Sequence, residues 1–146
     1  MSTRRAIAMA TLALIGSAAA CGTAKPDAIV YDADACAYCR MQISDPRFGA
    51  ALVTVKGRTL KFDSIECLVA YYKQAAAAHD VASVWVSNVR HPGQLVDATR
   101  ARYIDLGGGR TPMGRAHGWA AVSVAAEAMA LGVADSTTLK RWSDLL

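Results

Sequence analysis

An α+β domain made of two ββαβ units in tandem is the fold class this sequence predicts, and three observations carry it. Residues 50–86 spell strand, turn, strand, helix, strand, with alternating and helical apolar patterns that change at the expected breaks. Residues 95–146 repeat that order more loosely, and Gly57-Arg58-Thr59 and Gly109-Arg110-Thr111 fall at corresponding points of the two halves. Of the 146 residues, roughly 125 remain once an N-terminal leader is set aside, enough for one compact domain.

The leader is read first. Arg4 and Arg5 precede an apolar run from Ala6 to Ile15, and the small residues Gly16 to Ala20 lead into Cys21. Residues 1–20 are therefore expected to be an export signal peptide, too short for a membrane span. Ala18-Ala19-Ala20-Cys21 resembles a bacterial lipobox, which would make Cys21 the acylated first residue of the mature chain. Ordinary secretory cleavage after Ala20, leaving a free Cys21 thiol, is the alternative. Residues 21–31, with Thr23, Lys25, Pro26 and Asp27, are expected to form a polar tether, and residues 32–146 the domain. Its first unit covers about 32–90 and its second about 95–146.

Within the first unit, Asp45-Pro46 marks a turn. The β-branched run Ala50 to Val55, the turn Lys56-Gly57-Arg58 and the run Thr59 to Phe62 predict a hairpin. Asp63, with Glu66 three residues on, predicts a capped helix start. Ile65, Leu68, Val69, Tyr72 and Ala76 recur at helical spacing as its buried stripe, and His79-Asp80 ends it. Val84-Trp85-Val86 supplies the third strand. In the second unit, His91-Pro92-Gly93 predicts a loop, Arg102 to Leu106 a strand, Gly107 to Arg110 a turn and His117 to Ala121 a strand. Ala121 to Leu131 predicts a helix closed by Gly132, and Leu139 to Leu146, with Trp142, a closing strand or turn.

Charge excludes one class of partner. Sixteen Lys and Arg against 12 Asp and Glu give a net charge of +4, and loss of Arg4 and Arg5 with the leader halves it. No basic run longer than two residues remains, which argues against nucleic acid. Cysteine usage says more. With Cys21 acylated, Cys36, Cys39 and Cys67 are left, an odd number in an oxidising compartment. Either one disulfide and one free thiol exist, or the thiols are kept reduced for a purpose such as metal binding.

That purpose is written most densely in Asp34-Ala35-Cys36-Ala37-Tyr38-Cys39-Arg40-Met41. Cys36 and Cys39 stand at Cys-x-x-Cys spacing, so one turn can aim both sulfurs inward, and Met41 adds a thioether. Thiolates and thioethers are soft donors that together select Cu(I). A structural zinc site would normally continue with a second Cys or His pair at regular spacing. A disulfide stapling the loop and a thioredoxin-like redox motif are the competing readings. Met41 and Met113 both lie in polar loop sequence, which favours a ligand role over core filling, whereas Met129 on the apolar second helix is expected in the core. Cys67 stands near the start of the first helix, on the side away from Ile65 and Leu68, where the helix dipole favours a thiolate. It is either a further ligand or a spectator. His117 is a possible ligand, and His79 and His91 are expected on surface loops. The carboxylates Asp34, Asp63 and Asp105 show no catalytic pairing. Gly107-Gly108-Gly109 lacks the Lys and Ser/Thr of a phosphate loop.

Taken in order, Cys36-x-x-Cys39-x-Met41, Phe62-Asp63 before a helix carrying Cys67, and Thr111-Pro112-Met113-Gly114 resemble the NosL family, lipoprotein accessory factors of nitrous oxide reductase. The similarity spans roughly residues 32–143. It implies a pair of ββαβ units like part of organomercurial lyase, and an activity of binding Cu(I) in the periplasm and passing it on for assembly of the reductase's copper centres. The implied partners are the copper-assembly components and the reductase itself, with the membrane reached only through the lipid anchor. Carried onto this chain, the metal positions are Cys39, Met41 and Met113. The sequence departs from the family after Gly114, where Arg115-Ala116-His117-Gly118-Trp119-Ala120 follows and makes His117 available. The function expected is thus a Cu(I)-binding, periplasm-facing lipoprotein and not an enzyme. The rival classes are a thiol-dependent enzyme, redox or organomercurial-lyase-like, using Cys36, Cys39 and Cys67, and a zinc-stabilised structural module.

Overall fold

The structure is a computed structural model that describes residues 23–114 and 116–146. The expected signal peptide, its Met9 and the expected lipidation site Cys21 lie outside the described residues. Among these described residues six strands form one sheet: β1 Ala50–Val53, β2 Thr59–Phe62, β3 Ser83–Asn88, β4 His91–Asp97, β5 Arg102–Asp105 and β6 Trp119–Val122. Helix α1 spans Ile65–Ala77 and the short α2 spans Ala125–Met129. The fold is therefore α+β as expected, with one sheet and few helices.

The first unit has the predicted ββαβ order. β1 and β2 pair antiparallel, Ala50 opposite Phe62 and Val53 opposite Thr59, around a turn where Gly57 takes a φ of 78° that favours glycine. All four β1 residues are buried, so this strand is covered on both faces. On β2 only Leu60 and Phe62 are buried, the alternation of an edge strand. The helix cap differs from expectation: Ser64, not Asp63, is the N-cap, its hydroxyl accepting the Cys67 N–H at 3.2 Å. With the next residue able to cap, Asp63 is free to turn inward. The far end matches. His79 takes a left-handed φ of 52°, and the N–H groups of Asp80 and His79 reach the carbonyls of Ala75 and Ala76 in a Schellman closure.

The second unit is only partly a repeat. His91-Pro92-Gly93, expected as a loop, opens β4 instead, which forms a hairpin with β3 whose register slips at Ser87/Asn88. Gly93, at φ 83°, lets the strand bend there and donates to Ser87 Oγ and the Pro46 carbonyl. β5 and β6 pair antiparallel. The second helix is shorter than predicted, because Trp119 to Val122 is drawn into the sheet and Gly132 ends the turn behind Met129. In place of a last strand, Lys140 makes one bridge to Tyr103, and a 3₁₀ turn at Trp142–Asp144 presses Trp142 and Leu145 into the core. A full strand would have placed only alternate residues inward.

The halves meet on one edge of β3. Ser87 N–H donates to the Gly49 carbonyl beside β1, and Val89 N–H, two residues on and hence on the same edge, donates to Ala121 of β6. β6 runs parallel to β3 there, taking over where β1 begins. The core lies under α1: Leu52, Phe62, Ile65, Leu68, Val86 and Tyr103 are fully buried, each contributing about 1.5–3 kcal/mol. Tyr72 meets Trp142 edge-on at 5.2 Å, and Tyr103 donates its buried hydroxyl to the Ala98 carbonyl at 2.7 Å. Residues of the expected tether already belong to this body, since the Ala24 carbonyl accepts from Ser83 Oγ and Trp85 Nε1. Met129, expected in the core, is 58% exposed, because α2 turns Ala128 inward instead. Among the described residues, no helix is long and apolar enough to cross a membrane.

Candidate metal centre

Cys36 and Cys39 sit in a tight hairpin between Asp34 and Ile43. Ala35 bridges Gln42, Cys36 N–H donates to the Met41 carbonyl at 2.8 Å, and Arg40 N–H returns to the Cys36 carbonyl at 3.0 Å. Two links hold the hairpin on β2. Ala37 N–H donates to the Lys61 carbonyl at 2.8 Å, and Lys61 Nζ meets Asp34 Oδ2 at 2.6 Å. The ammonium holds the Asp34 carboxyl below its ordinary range. Both sulfurs are thereby turned toward the point where β2 passes into α1.

There they meet two groups from that junction. The ligand atoms of Cys36, Cys39, Asp63 and Cys67 all lie within 4.8 Å of one another. Two thiolates bound to one ion at about 2.3 Å stand at most about 4.6 Å apart, so small side-chain adjustments let all four share an ion. Cys36, Asp63 and Cys67 are buried and Cys39 is half-buried, which leaves one approach from solvent. The Cys39 thiol reaches Asp63 Oδ2 at 3.5 Å, while Asp63 Oδ1 is buried with no partner among the described residues. A buried carboxylate oxygen left without a donor is costly unless a cation or proton comes to it.

Among the described residues these three thiols form no disulfide, and their protons are shared unequally. A hydrogen bond from Cys67 brings the Cys36 thiol down to about 6, against the opposing effect of burial. The same bond, then burial, pushes Cys67 well up. Burial also pushes Cys39 up. Near neutral pH the cluster thus holds one ready thiolate beside two thiols that give up protons when a soft metal enters.

The remaining predicted residues stand around this cluster. Met41 follows the hairpin turn and is 51% exposed. Met113 is half-buried against the core, in a segment tied to the cluster's own helix: Glu66, next to Cys67, accepts the Thr111 hydroxyl at 3.0 Å and the Trp119 N–H at 2.7 Å on Oε1. Gly114 is required in that segment, since a Cβ there would collide with the Thr111 hydroxyl and stand 2.6 Å from the His117 carbonyl. His117 lies outside the four-residue cluster, exposed, with Nδ1 2.6 Å from Asp105 Oδ2 and its ring stacked on Trp119. His79 and His91 are exposed, as expected. Cys67 is buried along with Ile65 and Leu68, not turned away from them, because the helix starts between the sheet and the hairpin.

Sequence reasoning missed Asp63 as a member of this cluster, having spent it on the helix cap. The signal was the serine directly behind it, which caps equally well and frees the carboxylate.

A family comparison settles the chain's relationship. The NosL family model matches residues 27–142. The chain belongs to the NosL family. Among solved structures it is similar to the crystal structure of the copper chaperone NosL from Shewanella denitrificans, with a TM-score of 0.64 and 22% identity over 82% of this chain and 95% of that one. At that identity the likeness carries the fold. No curated protein matches the chain in sequence. The NosL match begins at Asp27, whose N–H is bound to Thr59 of β2, and runs through Trp142, so it takes in the hairpin, the β2–α1 junction and the Met113 segment together.

Proposed function

We propose that this NosL-family chain is a copper carrier that binds one Cu(I) at the Cys36–Cys39–Cys67–Asp63 cluster and hands it on. The observation that carries the reading is the convergence of three free thiols and a buried, underpartnered carboxylate at one half-open point. Thiolates supply strong, soft ligation for Cu(I). Met41 and Met113 are the neutral thioethers that exchange as the ion arrives or leaves, Met41 from the exposed hairpin and Met113 from the segment clasped by Glu66. His117, held by Asp105, is a weaker candidate for the same role. The copper is cargo, so the chain is a carrier and not an enzyme.

The wider reading follows from membership of the family. Cys21 carries a lipid, residues 1–20 are removed on export, and the domain faces the periplasm from its anchor. Its partners are the copper-assembly components of nitrous oxide reductase and that enzyme. The relative from Shewanella denitrificans, described as a copper chaperone, supports this direction.

One observation favours a second reading. A carboxylate among three thiols is a harder donor set than Cu(I) needs, and it also suits tetrahedral Zn(II). Anaerobic titration of the full chain with Cu(I) against a competing Cu(I) chelator, with Zn(II) in parallel, separates the two. The carrier reading expects one tight equivalent of Cu(I), weakened at least tenfold by Cys39→Ser, and an apo form that stays folded. Preference for Zn(II), with unfolding on chelation, establishes the structural alternative.

A further inference from the structure

Among the described residues, three non-glycine residues have a left-handed backbone: Asp32, Arg40 and His79, at φ 62°, 69° and 52°. Asp and His are residue types that tolerate this region, and His79 closes a helix. Arginine has no such excuse. Arg40 stands between Cys39 and Met41 at the hairpin turn, where glycine would be unstrained. Strain retained at a site points to a function of the side chain that causes it.

The surroundings say what that function is. Arg40 lines a polar cavity of about 390 Å³ on the outer wall of the metal-bearing hairpin, together with Arg58, Lys61, Asp27 and Asp34. Lys61 and Asp34 neutralise each other. Arg40 and Arg58 are exposed and, among the described residues, neither is in an ion pair. Asp27, whose N–H is bound to Thr59, is the one other carboxylate lining this cavity, so the arginines outnumber it. Tyr38 and Met41, at 45% and 51% exposed, flank Arg40 along the same turn, a mix of aromatic, thioether and arginine that suits an interface.

We propose that Arg40 and Arg58 form a cationic docking rim beside the metal cluster, which receives an acidic patch on the protein that exchanges copper with this chain. The inference rests on the copper-carrier reading and names the chemistry of its partner. Opposite charges speed encounter and set orientation while contributing little to the metal–ligand bonds themselves. The strained arginine thus carries its charge on the same hairpin turn as Cys39 and Met41, at a cost to the hairpin that glycine would remove.

The test uses the full chain in non-ionic detergent, loaded with Cu(I), and two probes: the anionic chelator bathocuproine disulfonate and the uncharged neocuproine. Arg40→Gly and Arg58→Gln are expected to slow copper transfer to the anionic probe by roughly three- to tenfold each. Transfer to the uncharged probe and the Cu(I) dissociation constant stay within twofold. Arg40→Lys restores the rate, salt removes the advantage of the parent chain, and Arg40→Gly melts at a higher temperature than the parent. Equal slowing toward both probes, or no slowing toward either, overturns the docking rim while leaving copper binding intact. Failure to bind Cu(I) at all overturns the carrier reading instead, so the two failures are distinguishable.

Discussion

The thiol of Cys39 stands 3.5 Å from the carboxylate of Asp63, which is itself buried and has a second oxygen without a partner among the described residues. Replacing that oxygen's demand with an amide is the sharpest probe of what the carboxylate does. Asp63→Asn keeps the shape and removes the charge. Because a carboxylate is a hard donor, the variant is expected to lose roughly 10- to 100-fold in Zn(II) affinity, the range seen when metal-supporting groups are removed. Cu(I) affinity should fall less than tenfold. Competition titrations with both metals check this, and an equal loss for both would mean that Asp63 orients the thiols and is not a ligand.

The pH dependence of the apo form follows from the thiols. Cys36 has its pKa lowered from 9.0 to about 6 by the Cys67 hydrogen bond, so in the window from about 6 to 9 the unfolded chain binds more protons there than the folded one. Stability therefore rises with pH across that window and is lost as pH falls through about 6. Above 9 the sign reverses, because Cys67 and Cys39 are raised and the unfolded chain gives up protons that the fold retains. Melting temperatures of apo protein under reducing conditions should climb between pH 6 and 9 and then decline. Cys36→Ser should flatten the climb.

Glu66 fastens the Met113 segment to α1 through two hydrogen bonds on one oxygen. Glu66→Ala should cost about 1–3 kcal/mol, the usual penalty for orphaning buried donors, read as a lower melting temperature. Gly114→Ala should cost a similar amount through overpacking, since its Cβ meets the Thr111 hydroxyl and the His117 carbonyl. Both changes should also speed Cu(I) release if the segment carries an exchanging ligand. Glu66→Gln, which retains an acceptor, should recover most of the stability.

The legible parts of this fold were those with local causes. The β1–β2 hairpin, α1 and β3 followed from periodicity and turn chemistry, and the Schellman end of α1 from His79-Asp80. The illegible parts were tertiary. His91-Pro92-Gly93 has loop composition, yet the free edge of β3 recruits it as β4. Ala121 to Leu131 is apolar enough for a long helix, but sheet pairing takes its first residues and leaves Met129 exposed. At the site, Cys36, Cys39 and Cys67 could be named because the residue type itself carries the chemistry. Asp63 was hidden by the commoner purpose of an aspartate before a helix; Ser64 behind it offered the same cap, and the fold shows Ser64 performing it.

The two methionines offer the last discrimination, because their environments differ while their proposed roles agree. Met41 is 51% exposed on the hairpin turn, so Met41→Ala removes little packing and should change apo stability by less than about 0.5 kcal/mol. Met113 packs against the core, so Met113→Ala should cost about 1–3 kcal/mol even without metal. If both thioethers take part in holding or exchanging copper, each variant should weaken Cu(I) binding or quicken its release several-fold, and Met41→Ala should do so with an unchanged apo melt. Measuring apo melting and Cu(I) competition on the same samples separates ligation from packing. A Met113 variant whose affinity loss disappears once its apo instability is allowed for would reassign that residue to the core and leave Met41 as the exchanging thioether.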